Sequence, residues 1–184
     1  MQQKIQLRKK YFNLRKKKYY EIDKKFFLPI FKLIRSRIKK KRFIKIALYY
    51  PSNFELNVLK LLDFDHVLNQ DTLLPVINKN NLMNFFSWKK SDVLFVNKFG
   101  MLEPSKTQHK VPDVMLVPIL SFDKNKSRLG YGKGFYDRYL NRYLKRFKNI
   151  LTIGVAFSFQ RHHKLPISQN DVKLDFIITE KGIY

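Results

Sequence analysis

Residues 111–140 read VPDVMLVPILSFDKNKSRLGYGKGFYDRYL, and this stretch decides the fold class. Residues 114–120 form a continuous apolar run, the pattern of a strand covered on both faces. Asp123 and Asn125 mark a turn after it, and Arg128 then leads into three alternating glycines, Gly130, Gly132 and Gly134. Residues 135–147 have helical composition. A buried strand that passes through a glycine-rich turn into a helix is a unit of α/β proteins. In such folds ligands collect beyond the carboxyl ends of the strands.

Working outward, the same alternation recurs. Residues 2–20 are rich in helix formers, and Phe27, Ile30, Phe31, Ile34 and Ile38 recur at steps of three and four, with Pro29 in the first turn of that second helix. Residues 43–50 read as a strand closed by Pro51-Ser52-Asn53, residues 55–68 as a helix and residues 72–77 as a strand. Shorter strands are expected at 83–88 and 93–96, paired as a hairpin, and residues 97–111 as an exposed functional loop. Residues 150–157 and 174–179 supply the last two strands. The expectation is an α/β fold: a single three-layer domain over residues 1–184, with N-terminal helices and a mostly parallel sheet covered by helices on both faces.

Composition narrows the chemistry. The chain has 184 residues and no cysteine, which excludes disulfides, thiolate metal sites and a cysteine nucleophile. No apolar stretch approaches the ~20 residues that span a bilayer, so a soluble, cytoplasmic protein is expected. The net charge is +24. Residues 1–50 hold 18 Lys and Arg against 2 acidic residues, a net of +16. That field would attract polyanions, although compositional drift toward Lys, Asn, Ile, Phe and Tyr gives the same number. A basic nucleic-acid-binding protein is therefore the competing reading, with Tyr11, Phe12, Tyr19 and Tyr20 as stacking surfaces. The chain lacks any ordered recognition motif for that role, so specific nucleic-acid binding is not expected.

The glycine turn has two readings on spacing alone. Glycines let backbone N–H groups approach an anion, the following helix adds its positive end, and Lys133 and Arg128 supply full charges. Asp137, in the first helical turn, suits either a Mg²⁺ ion or the helix dipole. The turn is neither G-x-x-x-x-G-K-[ST] nor G-x-G-x-x-G. A phosphate cradle and a plain tight turn both remain open.

The full string resembles the signature of the 5-formyltetrahydrofolate cyclo-ligase family: a strand ending in Pro, a Phe-Asp pair, then R-L-G-x-G-x-G-[YF]-Y-D. The resemblance extends to residues 50–55, Leu74-Pro75, the Gly100 and Glu103-Pro104 of a G-x-x-E-P pattern, residues 154–160 and residues 166–180. It implies conversion of 5-formyltetrahydrofolate and ATP to 5,10-methenyltetrahydrofolate, ADP and phosphate with Mg²⁺, by phosphorylation of the formyl oxygen and ring closure by N10.

The resemblance also implies roles. ATP would be held by Lys4, Arg8, Arg128, Leu129, Gly130, Tyr131, Gly132, Lys133, Gly134, Phe135 and Tyr136. The folate would meet Tyr50 and Glu55 together with Tyr131, Gly132, Lys133, Gly134 and Phe135. Lys133, Tyr136 and Arg128 would serve catalysis, and Asp137 and Asp171 would hold the metal. Asn57, Gln70 and Phe135 depart from frequent family residues, the last by losing a hydroxyl. His162 and His163, adjacent and without an acidic partner at ligand spacing, are read as loop residues. The expected partner is the folate, polyglutamylated forms included, and the expected state is a monomer.

Overall fold

The computed structural model describes residues 2–38, 41–64, 70–144 and 150–184. In chain order it contains α1 (Gln2–Lys18), α2 (Leu28–Arg37), β1 (Ile44–Ala47), β2 (Gln70–Ile77), β3 (Met83–Ser87), β4 (Leu94–Val96), β5 (Leu102–Pro104) and β6 (His109–Lys110). There follow β7 (Val114–Pro118), β8 (Ser121–Phe122), β9 (Arg128–Leu129), α3 (Phe135–Leu144), β10 (Leu151–Val155), β11 (Phe176–Thr179) and β12 (Gly182–Ile183).

The main sheet runs β12-β11-β10-β7-β1-β2-β3-β6. Its centre is parallel, from β11 through β10, β7 and β1 to β2. Antiparallel strands β3, β6 and β12 finish the edges. Val114, Met115, Leu116 and Val117 of β7 are fully buried because both faces of the sheet are covered. On one face Phe27, Ile30 and Ile34 of the α2 region pack against Ile46, Leu48 and Leu116. On the other, Tyr139 and Leu140 of α3 pack against Met115, Val117 and Ile177. Each fully buried aliphatic or aromatic side chain contributes roughly 1.5–3 kcal/mol, so the alternation of strands and helices is fixed by burial on two faces.

The chain leaves β1 to form β2 on one side and returns to place β7 on the other. The gap beyond the carboxyl ends of β1 and β7 is thus a topological switch point, where open α/β sheets bind ligands. α1 lies across this end instead of on a face. Leu7 and Tyr11 pack against Leu120, Leu129 and Leu165, which all follow sheet strands or belong to the glycine-turn region.

Three expectations need correction. The helix expected over 55–68 is a 3-10 turn at Val58–Phe64, with residues 65–68 outside the described residues. Val58 and Leu61 are buried and Phe64 packs beside them, a three-residue period that suits 3.0 residues per turn better than 3.6. The hairpin expected between 83–88 and 93–96 does not form. β3 pairs with β2 and β6, while β4 pairs with β5 in a separate ribbon. The Lys89–Asp92 turn, closed by Lys89 N–H donating to the Asp92 carboxylate, redirects the chain before β4. The loop expected over 97–111 therefore contains two strands, and Glu103 inside it is buried, accepting from Ile77 N–H and the Asn97 amide. The helix expected over 135–147 is described as far as Leu144, and residues 145–147 lie outside the described residues.

Candidate active site

The glycine turn is held from below before it can hold anything. Asp123 is buried; its Oδ1 accepts from Asn125 N–H and Ser127 N–H, and its Oδ2 accepts from Leu165 N–H. This clamps the turn between β8 and β9, where Lys126 adopts a positive φ of 61°. Beyond β9 the chain needs backbone shapes closed to L side chains: Gly132 has φ +101° and Gly134 +66°. At Gly132 a Cβ would also stand 3.1 Å from the Arg8 guanidinium carbon, so the glycine admits the α1 side chain.

Arg8 reaches in from α1 and donates from Nε to the Gly130 carbonyl at 2.9 Å. One helical turn earlier, Lys4 donates to Asp171 Oδ2 at 2.5 Å. Asp171 also accepts from Ser168 N–H at 2.7 Å. Burial would push this carboxyl up, but the Lys4 and Ser168 hydrogen bonds and the Lys4 charge outweigh it and hold the group below its ordinary range. Arg128 is the second basic anchor. Its guanidinium donates to Asp137 Oδ1 and to the Val172 carbonyl, each at 2.6 Å, and Val172 N–H returns a bond to Asp137 Oδ1 at 3.0 Å. Leu129 is buried in the α1 contact, whereas Lys133 is exposed, with Nζ 5.6 Å from the Phe99 ring centre. Phe135 meets Phe99 at 5.6 Å, so the tip of the β4–β5 ribbon touches the start of α3.

Arg128 and Val172 N–H both donate to Oδ1 of Asp137, and Lys4 and Ser168 N–H both donate to Oδ2 of Asp171. No group of three His, Cys, Asp or Glu side chains that would cage a metal occurs among the described residues. Two carboxylates beside the glycine turn are hard oxygen donors of the kind that would suit Mg²⁺ carried in by a second ligand.

The other side of the switch point holds Glu55. It is buried, and its Oε2 accepts from Ser52 N–H at 2.9 Å and Ser52 Oγ at 3.3 Å. Burial pushes its carboxyl up, opposed by Arg15, Ser52 and the Tyr131 hydroxyl. Tyr131 comes from the glycine turn, and its phenol is raised by burial and by Glu55. Tyr136, in the first turn of α3, is raised by burial and Glu55 against the pull of Arg128. Both phenols are hydrogen-bond donors at neutral pH and neither is a base.

Tyr50, expected on the folate side with Glu55, is 38% exposed after β1. Its neighbour Tyr49 is the one whose ionisation is raised by burial and by Glu55, and the Tyr49 hydroxyl donates to Leu56 O at 2.9 Å. Arg15 was missed entirely. It is 1% exposed, donates to Asn53 O at 2.7 Å and bonds the Tyr131 hydroxyl. A signal existed: Lys4, Arg8, Tyr11 and Arg15 share one helical stripe at steps of four, three and four. His162 meets the Tyr11 hydroxyl at 3.0 Å and belongs to the α1 seat.

Comparison with known proteins places the chain in a family. The family model described as "5-formyltetrahydrofolate cyclo-ligase family" matches residues 1–180. A 5-formyltetrahydrofolate cyclo-ligase of Haemophilus influenzae is 30% identical over 144 residues, covering 74% of this chain and 76% of that protein. The Escherichia coli K12 enzyme of the same name is 27% identical, covering 76% and 79%. Among solved structures, the Aquifex aeolicus 5,10-methenyltetrahydrofolate synthetase superposes with a TM-score of 0.74 at 30% identity, over 98% of this chain and 91% of that one. The Mycoplasma pneumoniae 5,10-methenyltetrahydrofolate synthetase gives 0.68 at 28% identity, over 95% and 97%. With the fold, the glycine turn and these matches in agreement, the chain belongs to the 5-formyltetrahydrofolate cyclo-ligase family and is an enzyme of that class.

Proposed function

We propose that the enzyme converts 5-formyltetrahydrofolate to 5,10-methenyltetrahydrofolate at the expense of ATP. The formyl oxygen attacks the γ-phosphorus and ADP departs, leaving an iminium phosphate. N10 then bonds to the activated carbon and gives up its proton, and the carbon–oxygen bond breaks to release phosphate, which carries that proton away. Phosphoryl transfer of this kind is limited by positioning and charge, which side chains can supply without covalent help.

One observation carries the reading: α1 brings Arg8 onto Gly130 and Lys4 onto Asp171, so two cations of α1 meet the glycine turn and the acidic residue beside it. In this scheme Lys4, Arg8, Arg128 and Lys133 bind the phosphates with the N–H groups of Leu129 to Tyr136. Asp137 and Asp171 would hold Mg²⁺, which would neutralise phosphate charge. Tyr136 donates a hydrogen bond at the reacting end. Glu55 accepts from the amide and amino N–H groups of the pterin, a pairing for which a carboxylate is the matching acceptor. Tyr131, Gly132, Gly134 and Phe135 separate the two substrates, and Tyr50 flanks the folate entrance.

A cleft of about 750 Å³ opens beside Phe99, with Lys79, Lys98 and Lys106 in its lining. Such a lining suits the carboxylates of a folate tail, polyglutamylated tails included. Both halves of the site come from one chain, so the enzyme is taken as a monomer, acting in the cytoplasm. Incubation of purified protein with 5-formyltetrahydrofolate and MgATP should produce the methenyl absorbance band together with ADP. Folded protein that forms no product sinks the reading, and product formed without ATP refutes the phosphorylation step.

A further inference from the structure

Arg15 occupies a position where α1 would be expected to carry an apolar side chain. Leu7, Tyr11 and Arg15 are the buried residues of the helix, spaced by four. A buried guanidinium carries a desolvation penalty that an aliphatic residue would avoid. Here it sits over the switch point itself. It donates to the Asn53 carbonyl after β1 at 2.7 Å and to the Ile119 carbonyl after β7 at 3.4 Å. It also donates to the Tyr131 hydroxyl of the glycine turn, which in turn interacts with Glu55. Asn53 and Phe54, between Ser52 and Glu55, adopt positive φ values of 49° and 60°. This is a strained shape for non-glycine residues that needs an external hold. The Arg15 Nε remains buried without a hydrogen-bond partner among the described residues.

We propose that Arg15 is the positioning residue for the folate half of the site, tying Tyr131 of the glycine turn to the strained Ser52–Glu55 turn across the gap between β1 and β7. The inference rests on the folate reading of Glu55 given above. Its distinguishing feature is which substrate it serves. Lys4 and Arg8 on the same helix face the ATP side, whereas Arg15 lies two to three turns away, on Asn53 O, Ile119 O and the Tyr131 hydroxyl beside Glu55.

The groups facing Glu55 are Arg15 from α1, Tyr131 from the glycine turn, Tyr136 from α3, Tyr49 at the end of β1 and Ser52. Arg15 is the only cation among them and favours the ionised carboxylate. Its removal leaves burial less opposed, so Glu55 would take up a proton at higher pH. Folate binding that needs the carboxylate would then fail at a higher pH than in the wild type.

The test compares wild type, Arg15→Met and Arg15→Lys for the KM of each substrate across pH 6 to 9. Equilibrium binding of 5-formyltetrahydrofolate without ATP is measured alongside. Arg15→Met should raise the folate KM and binding constant on the order of tenfold or more, the loss expected for charged hydrogen bonds. The MgATP KM should stay within about twofold, since Arg8 and Lys4 are untouched. The acid limb of folate binding should move to higher pH. Arg15→Lys should restore the limb but only part of the affinity, because an ammonium lacks the planar fork. An unchanged folate KM and pH profile in Arg15→Met overturns the proposal. So does a parallel rise in both KM values, which would make Arg15 merely the anchor of α1. If Arg15→Met does not fold, Arg15→Lys decides alone: folate affinity equal to wild type refutes the positioning role. A wild type that binds folate but forms no product sinks the reaction and leaves the Arg15 comparison intact; a wild type that does not bind folate overturns both.

Discussion

Replacing Arg128 with methionine removes one guanidinium from the join between β9, α3 and the segment before β11. The side chain of Arg128 is 4% exposed and that of Asp137 25%. Two hydrogen bonds of 2.6 Å are lost, and Asp137 keeps only the Val172 N–H. Breaking a fully buried pair costs about 3–5 kcal/mol; because solvent reaches Asp137, about 2 kcal/mol is the reasonable share here, and the orphaned Val172 carbonyl adds about 1 kcal/mol. A loss of about 3 kcal/mol in a chain of this length lowers Tm by about 6–12 °C. Calorimetry or urea unfolding measures it. Arg128→Met combined with Asp137→Asn should recover about 1–2 kcal/mol, because the second change removes the stranded charge while an amide oxygen still accepts from Val172. A single variant that loses less than about 1 kcal/mol, or a double variant whose losses simply add, would refute the account of Asp137 as a carboxylate held by Arg128.

Gly132→Ala forces a side chain into φ +101° and to 3.1 Å from Arg8, so it should raise the MgATP KM by roughly tenfold or more, with about 1–3 kcal/mol of backbone strain; steady-state kinetics showing an unchanged ATP KM would count against it. Lys4→Met releases Asp171 from its partner. Because the folded carboxyl lies below its ordinary value, the pair contributes stability above the unfolded pKa that is lost as pH falls through the folded one. The pair is partly exposed, so the stability change should stay below about 1 kcal/mol while ATP affinity drops. Glu55→Gln should behave in the opposite sense. The raised carboxyl of Glu55 favours the folded state below its unfolded pKa, and that advantage is lost as pH rises through the folded pKa. The neutral amide should therefore match or exceed wild-type stability at neutral pH in denaturation experiments, yet weaken folate binding. Lower stability at neutral pH together with normal folate affinity would contradict the buried-carboxylate reading.

Much of this architecture is legible in the order of residues. The apolar run of β7 declares a strand buried on both faces, and the Ile30, Phe31 and Ile34 stripe declares α2, because burial periodicity is a local property of the chain. The glycine turn is legible for a related reason: Gly132 and Gly134 sit at positive φ, a constraint each residue carries by itself. Residues 55–68 misled because apolar spacings of three fit a helix and a 3-10 turn alike, and the choice lay with Phe31 and the sheet face beneath.

The partnerships of charge, by contrast, belong to the tertiary structure. The sequence contains 38 Lys and Arg, and although the helical stripe of Lys4, Arg8, Tyr11 and Arg15 sets Arg15 apart from the lysines beside it, nothing local says what that stripe meets. Only the crossing of α1 over the carboxyl ends of β1 and β7 buries that one guanidinium, joining segments 38 and 116 residues away in the chain. The same crossing puts Lys4 on Asp171, 167 residues distant. The sequence by itself determined the α/β alternation, the turn and its family. Which cations face the turn, which tyrosine reaches Glu55 and where α1 lies were decided by long-range packing, since a charge has no periodicity and acquires its role from whatever the fold brings within a few ångströms.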